Sequence, residues 1–266
     1  MWRSVLDYLH LAVAYMRINI RAQLEYRGAF FSQIAAMFIN DGVWVVFWMF
    51  FFTRFPVLHG WNLKDVLSLW AITTAGYGLA YGVMGNAHRR LAPAIVQGEL
   101  DLWLLHPRAV LPHLLLGSTI PSAWGDALFG YVVYLGFIRP DAARAMMFVA
   151  LSVVVAVVFV GLGVMTGSLS FYVGNASTLS DQWRDTSITF ATYPPTLFEG
   201  KVKLLLFTLI PAGFISYLPV EALRSLSIAN LFVAFTGALA VLAAGVAMFY
   251  HGLRRYESGN LISING

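Results

Sequence analysis

A length of 266 residues would suit one or two soluble domains, but 59% of the side chains are hydrophobic and only 11% are charged. A water-facing surface draws on ~25% charged residues, so a soluble fold is excluded. Seventeen basic against 13 acidic residues leave a net charge of +4, too small and dispersed for a nucleic-acid footprint and in keeping with basic anchors at the ends of membrane spans, while the absence of cysteine excludes disulfides, thiol catalysis and Cys-ligated metals.

In residues 1–27, Trp2, Leu6, Leu9, Val13, Met16, Ile20 and Leu24 recur at helical spacing, and Arg3, Asp7, His10, Arg17, Arg21 and Glu25 fall mostly on the other face. The pattern predicts a helix lying in the headgroup plane, the alternative being a soluble helix packed on a partner. Its charges are too closely spaced for a cleavable leader. Six apolar stretches then approach the ~20 residues that a spanning helix needs: 28–52, 66–87, 109–137, 145–173, 202–219 and 228–251. The second is diluted by Thr73, Thr74, Gly76, Tyr77, Gly78 and Tyr81, and the fifth is short and holds Pro211, so both are expected to face protein rather than lipid. In the fourth, Gly163 and Gly167 form a G-x-x-x-G pair that permits close helix approach. With six spans, twelve basic residues, Arg184, Lys201 and Lys203 among them, lie on the inner side and five on the outer, which places both termini in the cytoplasm.

The sequence has no G-x-x-x-x-G-K-[ST] loop for nucleotide phosphates, no H-E-x-x-H pair for zinc and no G-x-S-x-G elbow. The six histidines lack the spacing of a familiar metal motif. No catalytic residue, metal site or cofactor is therefore assigned, and the chain is not expected to be an enzyme by itself.

Two places stand out. Asn40 and Asp41 lie in the middle of the first span, where an ionised carboxylate costs ~2.5–3.5 kcal/mol on insertion scales. The pair either lines a substrate path together with Tyr77 and Tyr81 or forms a structural polar contact with those tyrosines or with backbone. Asp126 in the third span raises the same question. The second place is the segment 88–108, which mixes both signs of charge with Leu91, Ile95, Leu102 and other apolar residues. Pro93 suits the first turn of a short helix, Gly98 its end and Asp101 a cap of the next turn. The segment is expected to be an amphipathic knob that either rests on the membrane or docks a cytoplasmic partner, its apolar side (Leu91, Ile95, Leu102) giving buried area and Arg89, Arg90, Glu99 and Asp101 fixing register.

Taken together, the N-terminal helix, the six stretches, G-E-L-D-L-W-L-L-H-P at Gly98 to Pro107, Y-P-P-T-L-F at Tyr193 to Phe198 and I-P-A-G-F-I-S-Y-L-P at Ile210 to Pro219 resemble the permease subunits of ABC-2 type exporters, in particular the small bacterial branch of drug or viologen exporter permeases. The resemblance covers essentially the whole chain. It implies an all-α polytopic membrane protein with one permease domain over 1–266, an N-terminal interfacial helix plus six transmembrane helices, in the bacterial cytoplasmic membrane. Its implied partners are cytoplasmic ABC ATPase subunits, which hold the ATP and Mg, a second permease in a homodimer or heterodimer, and lipid, with no nucleic acid. Residues Arg89 to Pro107 would be the coupling helix, Glu221 to Ala229 a partly re-entrant outer helix, and the cargo an amphipathic small molecule, drug or lipid-like compound moved outward by alternating access. Alternatives are an ATP-independent secondary carrier using Asp41, for which paired, Gly/Pro-interrupted segments in two halves are missing, and a membrane scaffold.

Overall fold

A chain this apolar has to bond its backbone within its own segments, and the computed structural model, which describes residues 2–105 and 109–256, is built from helices. Helix α1 (Trp2–Glu25) meets α2 (Arg27–Arg54) across the single residue Tyr26. Helix α3 (Leu63–Val83) starts from a capping box in which the Asn62 side chain accepts the Asp65 N–H and the Asp65 carboxylate accepts the Asn62 N–H. Three short helices form the knob: α4 (Asn86–Arg89), α5 (Leu91–Val96) and α6 (Leu100–Leu104). Next come α7 (Val110–Leu116) and α8 (Pro121–Tyr131), with Pro121 in the first turn. Helix α8 continues as a π-helical stretch, Val132–Ile138. The rest comprises α9 (Ala142–Ser168), α10 (Ser170–Val173), α11 (Ser177–Ala191), α12 (Gly200–Thr208), a π turn at Gly213–Tyr217, α13 (Leu218–Ser225) and α14 (Ile228–Leu253).

Helix α3 is the central strut, packed against α2, α8 and α9 and buried almost all round. The small residues that dilute its hydropathy are what let its neighbours in. A Cβ on Gly78 would lie 2.3 Å from the backbone nitrogen of Ala127, and one on Gly76 would strike Val155. The G-x-x-x-G pair of α9 serves packing inside the chain, since Gly163 faces the Ala87 carbonyl and Gly167 faces Leu91, so it seats the knob on α9.

Helix α1 lies along α7 through a stripe spaced four residues apart: Tyr15 meets His113 Nδ1 at 3.0 Å, the Asn19 amide donates to the Leu116 carbonyl at 3.0 Å, and the Gln23 amide donates to the Thr119 carbonyl at 2.9 Å. Leu9, Val13 and Ile18 remain exposed. The face turned to the protein is thus the polar stripe, and part of the apolar face is left for lipid.

The expected six spans are not reproduced by length and composition. Among the described residues four helices qualify, α2, α3, α9 with α10, and α14, or up to five if α12 and α13 count as one bent span. The third stretch is broken at 117–120, where α7 gives way to α8. The fifth, 202–219, bends by 79°, and its contacts show where it goes. Gly200 and Lys203 line a recess with His59, in the loop between α2 and α3. The tip lies beside the middle of α11, where the Trp183 indole donates to the Leu209 carbonyl at 2.9 Å. The returning limb ends with Arg224 paired to Asp65 at 3.3 Å and stacked over Trp61, back at the same loop. Helices α12 and α13 therefore form a bent pair, longer than the short outer helix expected, whose two ends lie at one end of the bundle. The length of the bundle is instead followed by α11. Its Ser180 lies near Ala87 of the knob, its Ile188 and Thr192 lie near Trp70, and Tyr193 just beyond it packs on Trp48. This puts Lys201 and Lys203 at the end opposite the knob and Arg184 in mid-bundle, which narrows the basic-residue asymmetry.

Candidate functional site

Between α2, α3, α8 and α11 the helices leave a cavity of about 240 Å³. From α2 it receives Met37, Asn40, Asp41 and Trp44; from α3, Trp70, Thr73, Thr74 and Tyr77; from α8, Asp126; and from α11, Arg184, Asp185, Ile188 and Thr192. The α2 contribution follows from helical spacing, since residues three and four apart share a face. Asp41 is turned inward, while Asn40 and Trp44 remain exposed at the mouth, as does Asp185 across from them.

The cavity is polar where the surroundings are apolar. Asp41 and Asp126 approach each other from α2 and α8, with relative exposures of 3% and 4%, and one carboxyl oxygen of each has no hydrogen-bond partner within the chain. The Thr73 hydroxyl and the Trp70 indole N–H, buried on the α3 wall, also lack one. An unmatched buried polar atom costs ~1–3 kcal/mol, and native interiors tolerate few of them. Four of these unmatched atoms belong to residues that line this one cavity. Arg184 is paired with Asp181 at 2.8 Å and Asp185 at 2.9 Å, and also lines a small recess with Tyr81, Ala87 and Ser180 on its knob side. The indoles of Trp44 and Trp70 stack at 5.4 Å and 23°, forming an aromatic wall beside the carboxyls.

The structure brings Asn40, Asp41 and Tyr77 to one cavity together with Asp126. Tyr81 is set apart. Its ring is fully buried, its hydroxyl donates to the Phe159 carbonyl at 3.1 Å, and it does not line the cavity. Trp44, Trp70, Thr73, Arg184 and Asp185 were not anticipated. The signal for the last two was present in three charges within five residues, Asp181, Arg184 and Asp185, on an otherwise membrane-like chain.

The knob has the predicted turns but a different outward face. Pro93 lies in the first turn of α5, and Gly98 adopts φ +76° beyond its end, a conformation that glycine enters without strain. Asp101 does not cap α6: it lies in the first turn, and Glu99 precedes the helix. Leu91 and Ile95 point into the chain's own core, because α5 rests on α9. They are covered by the chain itself, and among the described residues of the knob the exposed apolar ones are Leu102, Leu104 and Leu105. Arg90 pairs with Glu99 at 2.7 Å, an exposed bridge that ties the start of α5 to the turn before α6, and Arg89 is exposed. Tyr256, following α14, packs on Phe171 and faces the Gly98 turn. Burial, together with the neighbouring Asp101 carboxylate, pushes its hydroxyl up to about 12. His106, Pro107 and Arg108, the last residues of the expected coupling element, lie outside the described residues.

No group of three or more His, Cys, Asp or Glu side chains arranged for a metal ion occurs among the described residues. A family model described as ABC-2 family transporter protein matches residues 38–260. No curated protein and no solved structure matches the chain.

Proposed function

The chain belongs to the ABC-2 family of transporter proteins, whose membrane components work with a separate ATPase, and on that premise we propose that it is the permease subunit of an ATP-driven exporter that moves an amphipathic small molecule out of the cytoplasm or inner leaflet. The observation that carries the reading is the cavity with its unmatched carboxyl, hydroxyl and indole groups. A mere scaffold has no reason to keep such groups in mid-bundle, where they are costly.

In this reading six helices cross the membrane: α2, α3, α8 with its π-helical extension, α9, α11 and α14. Helix α8 need not be apolar all round, because α2 and α3 cover much of it, and the exposed polar face of α11, with Asp181, Asp185 and Thr189, would be covered by the second permease. The termini and knob lie on the cytoplasmic side of a bacterial inner membrane, where Arg17, Arg21, Arg27, Arg89, Arg90, Arg254 and Arg255 would gather. The knob couples to the ATPase through Leu102, Leu104 and Leu105, with Arg89, Arg90, Glu99 and Asp101 around them and Gly98 as the turn. A second permease, identical or not, completes the transporter. Arg184 offers a mechanical link, since it lines both the cavity and the recess beside Ala87. Movement of the knob would reach α11 first and the cavity wall next, switching packed helices between two arrangements.

Two measurements test this reading. In an affinity pull-down of the membrane complex, Leu102→Asp should release the ATPase, whereas Glu199→Gln at the far end should retain it. Retention by both variants removes the docking role. Labelling of single cysteines placed at His59, Gly200 and Arg254 should show the first two on the outside and the third inside. A cytoplasmic Gly200 would overturn the re-entrant path.

A further inference from the structure

Resting on the permease reading above, we infer that the cavity between α2, α3, α8 and α11 binds a small protonated amine that also carries a hydroxyl or similar acceptor group.

The polarity of the unmatched atoms selects this chemistry. The free oxygens on Asp41 and Asp126 ask for N–H donors, and two converging carboxyls disfavour an anion. The cation that lines the cavity, Arg184, is paired with Asp181 and Asp185, so three carboxyls and one guanidinium line the space. An ammonium supplies up to three donors from a single compact charge, whereas a quaternary cation supplies none and would leave both oxygens unmatched. On the α3 wall the need is different. The Trp70 N–H is a donor without an acceptor, and the Thr73 hydroxyl, one turn along, can give or take a hydrogen bond. A ligand hydroxyl or carbonyl satisfies that wall while its ammonium satisfies the other.

Size and shape narrow the class further. About 240 Å³ falls below the ~300–1,000 Å³ of drug-sized pockets, which limits the occupant to a small molecule. The stacked indoles of Trp44 and Trp70 give a flat wall for an aliphatic or aromatic body, and a cation beside their faces gains further attraction. Trp44 is 41% exposed and stands at the mouth, so entry passes between α2 and α11.

The test uses the full chain purified in detergent and titrated calorimetrically with ethanolamine and with four matched compounds: tyramine, its N-trimethyl analogue, 2-phenylethylamine and 4-ethylphenol. The expected result is that tyramine or ethanolamine binds, that the quaternary analogue and 4-ethylphenol bind at least about tenfold more weakly than tyramine, and that 2-phenylethylamine loses about threefold or more. Asp41→Asn and Asp126→Asn should each weaken amine binding about tenfold, and Glu199→Gln should leave it unchanged. Thr73→Val, which removes a hydroxyl that makes no bond within the chain, should keep the fold and reduce the gap between tyramine and 2-phenylethylamine. That cycle keeps the test decisive even if a carboxyl variant does not accumulate. Equal binding of the quaternary analogue, an unchanged gap in Thr73→Val, or no binding of either amine would overturn the site, the last result leaving a pocket for water only. ATP hydrolysis by the reconstituted permease–ATPase complex separates the two proposals. Amine binding without stimulation rejects the transport reading but keeps the site, and stimulation by 4-ethylphenol alone keeps the permease but rejects the amine.

Discussion

The two sides of α9 and α3 are built on opposite principles. Where α9 meets α14, glycine faces backbone: a Cβ on Gly161 would lie 2.7 Å from the Leu242 nitrogen, and one on Gly245 would lie 2.6 Å from the Gly161 carbonyl. On the other side of the bundle, α3 meets α2, α8 and α11 around a cavity whose walls hold two carboxyls, a hydroxyl and an indole N–H with unmatched atoms. Both kinds of contact lie inside an apolar chain. The first brings two backbones into direct contact at these glycines, whereas the second keeps space and polarity that packing alone would eliminate. A transporter needs both, a seam that moves as one body and a region whose contents change.

The largest effect is expected from forcing a side chain into the seam. Gly161→Leu drives several carbons into the α14 backbone, which cannot rotate away as a side chain can. Overpacking of this kind costs ~1–3 kcal/mol or more. The expected outcome is loss of monodisperse protein in size-exclusion chromatography, and an unchanged profile would mean that the seam is looser than its geometry.

The knob divides in the same way, which the next pair of variants sharpens. Ile95 is sealed against the chain's own core and Leu102 is open. Ile95→Asp should lower the unfolding midpoint of the purified chain, since an unpaired buried charge costs several kcal/mol, whereas Leu102→Asp should leave that midpoint in place and act on the ATPase alone. Equal midpoints in a thermal scan would show that α5 is not seated on α9.

A smaller contrast compares matched and unmatched hydroxyls. Tyr81→Phe removes the bond to the Phe159 carbonyl and should cost ~0.5–1.5 kcal/mol, whereas Thr73→Val removes a hydroxyl with no partner in the chain and should be neutral or stabilising. Denaturant unfolding of the two variants decides the matter, and a greater loss in Thr73→Val would mean that its hydroxyl holds the fold together.

The smallest effect lies outside both regions, at the start of α9. Asp141 accepts the backbone N–H of Arg144 and pairs with its guanidinium, and the backbone bond foremost holds its carboxyl below the usual carboxylate range. A depressed carboxyl contributes stability above its unfolded value, ~4, and loses it as pH falls through the folded value. The difference in unfolding midpoint between the parent chain and Asp141→Asn should therefore shrink below about pH 4. A difference independent of pH would show that the ionised carboxylate contributes nothing to it.

Much of the helical layout was legible because hydropathy and turn chemistry are local. Four of the six stretches became long helices, Pro93 and Gly98 bounded α5, and Asp41 was conspicuous for its cost in an apolar setting. Helix α11 was not legible. Its sequence, STLSDQWRDTSITFA, fails any test that assumes lipid on all sides, yet one face of it packs on α9 and α3, while the polar face with Asp181, Asp185 and Thr189 stays exposed in the single chain. The stretch 202–219 is the converse case, a bent pair of short helices, since enough hydrophobicity to enter a membrane does not say on which side the chain leaves.

Composition and periodicity set the medium and the local grammar: a chain that must live in lipid, where its helices start and stop, and which polar residues are too costly to be accidental. Which of those residues meet depends on how the helices pack. Asp41 and Asp126 are 85 positions apart, and Arg184 is further still. Their convergence depends on glycines in α3 and α8 that let backbones touch, as Gly78 does with Ala127 and Gly130 with the Ala71 carbonyl. The same packing turned Leu91 and Ile95 inward and left Leu102 outside. Period and composition describe one helix at a time, whereas a site arises from the distances between helices, which close packing sets.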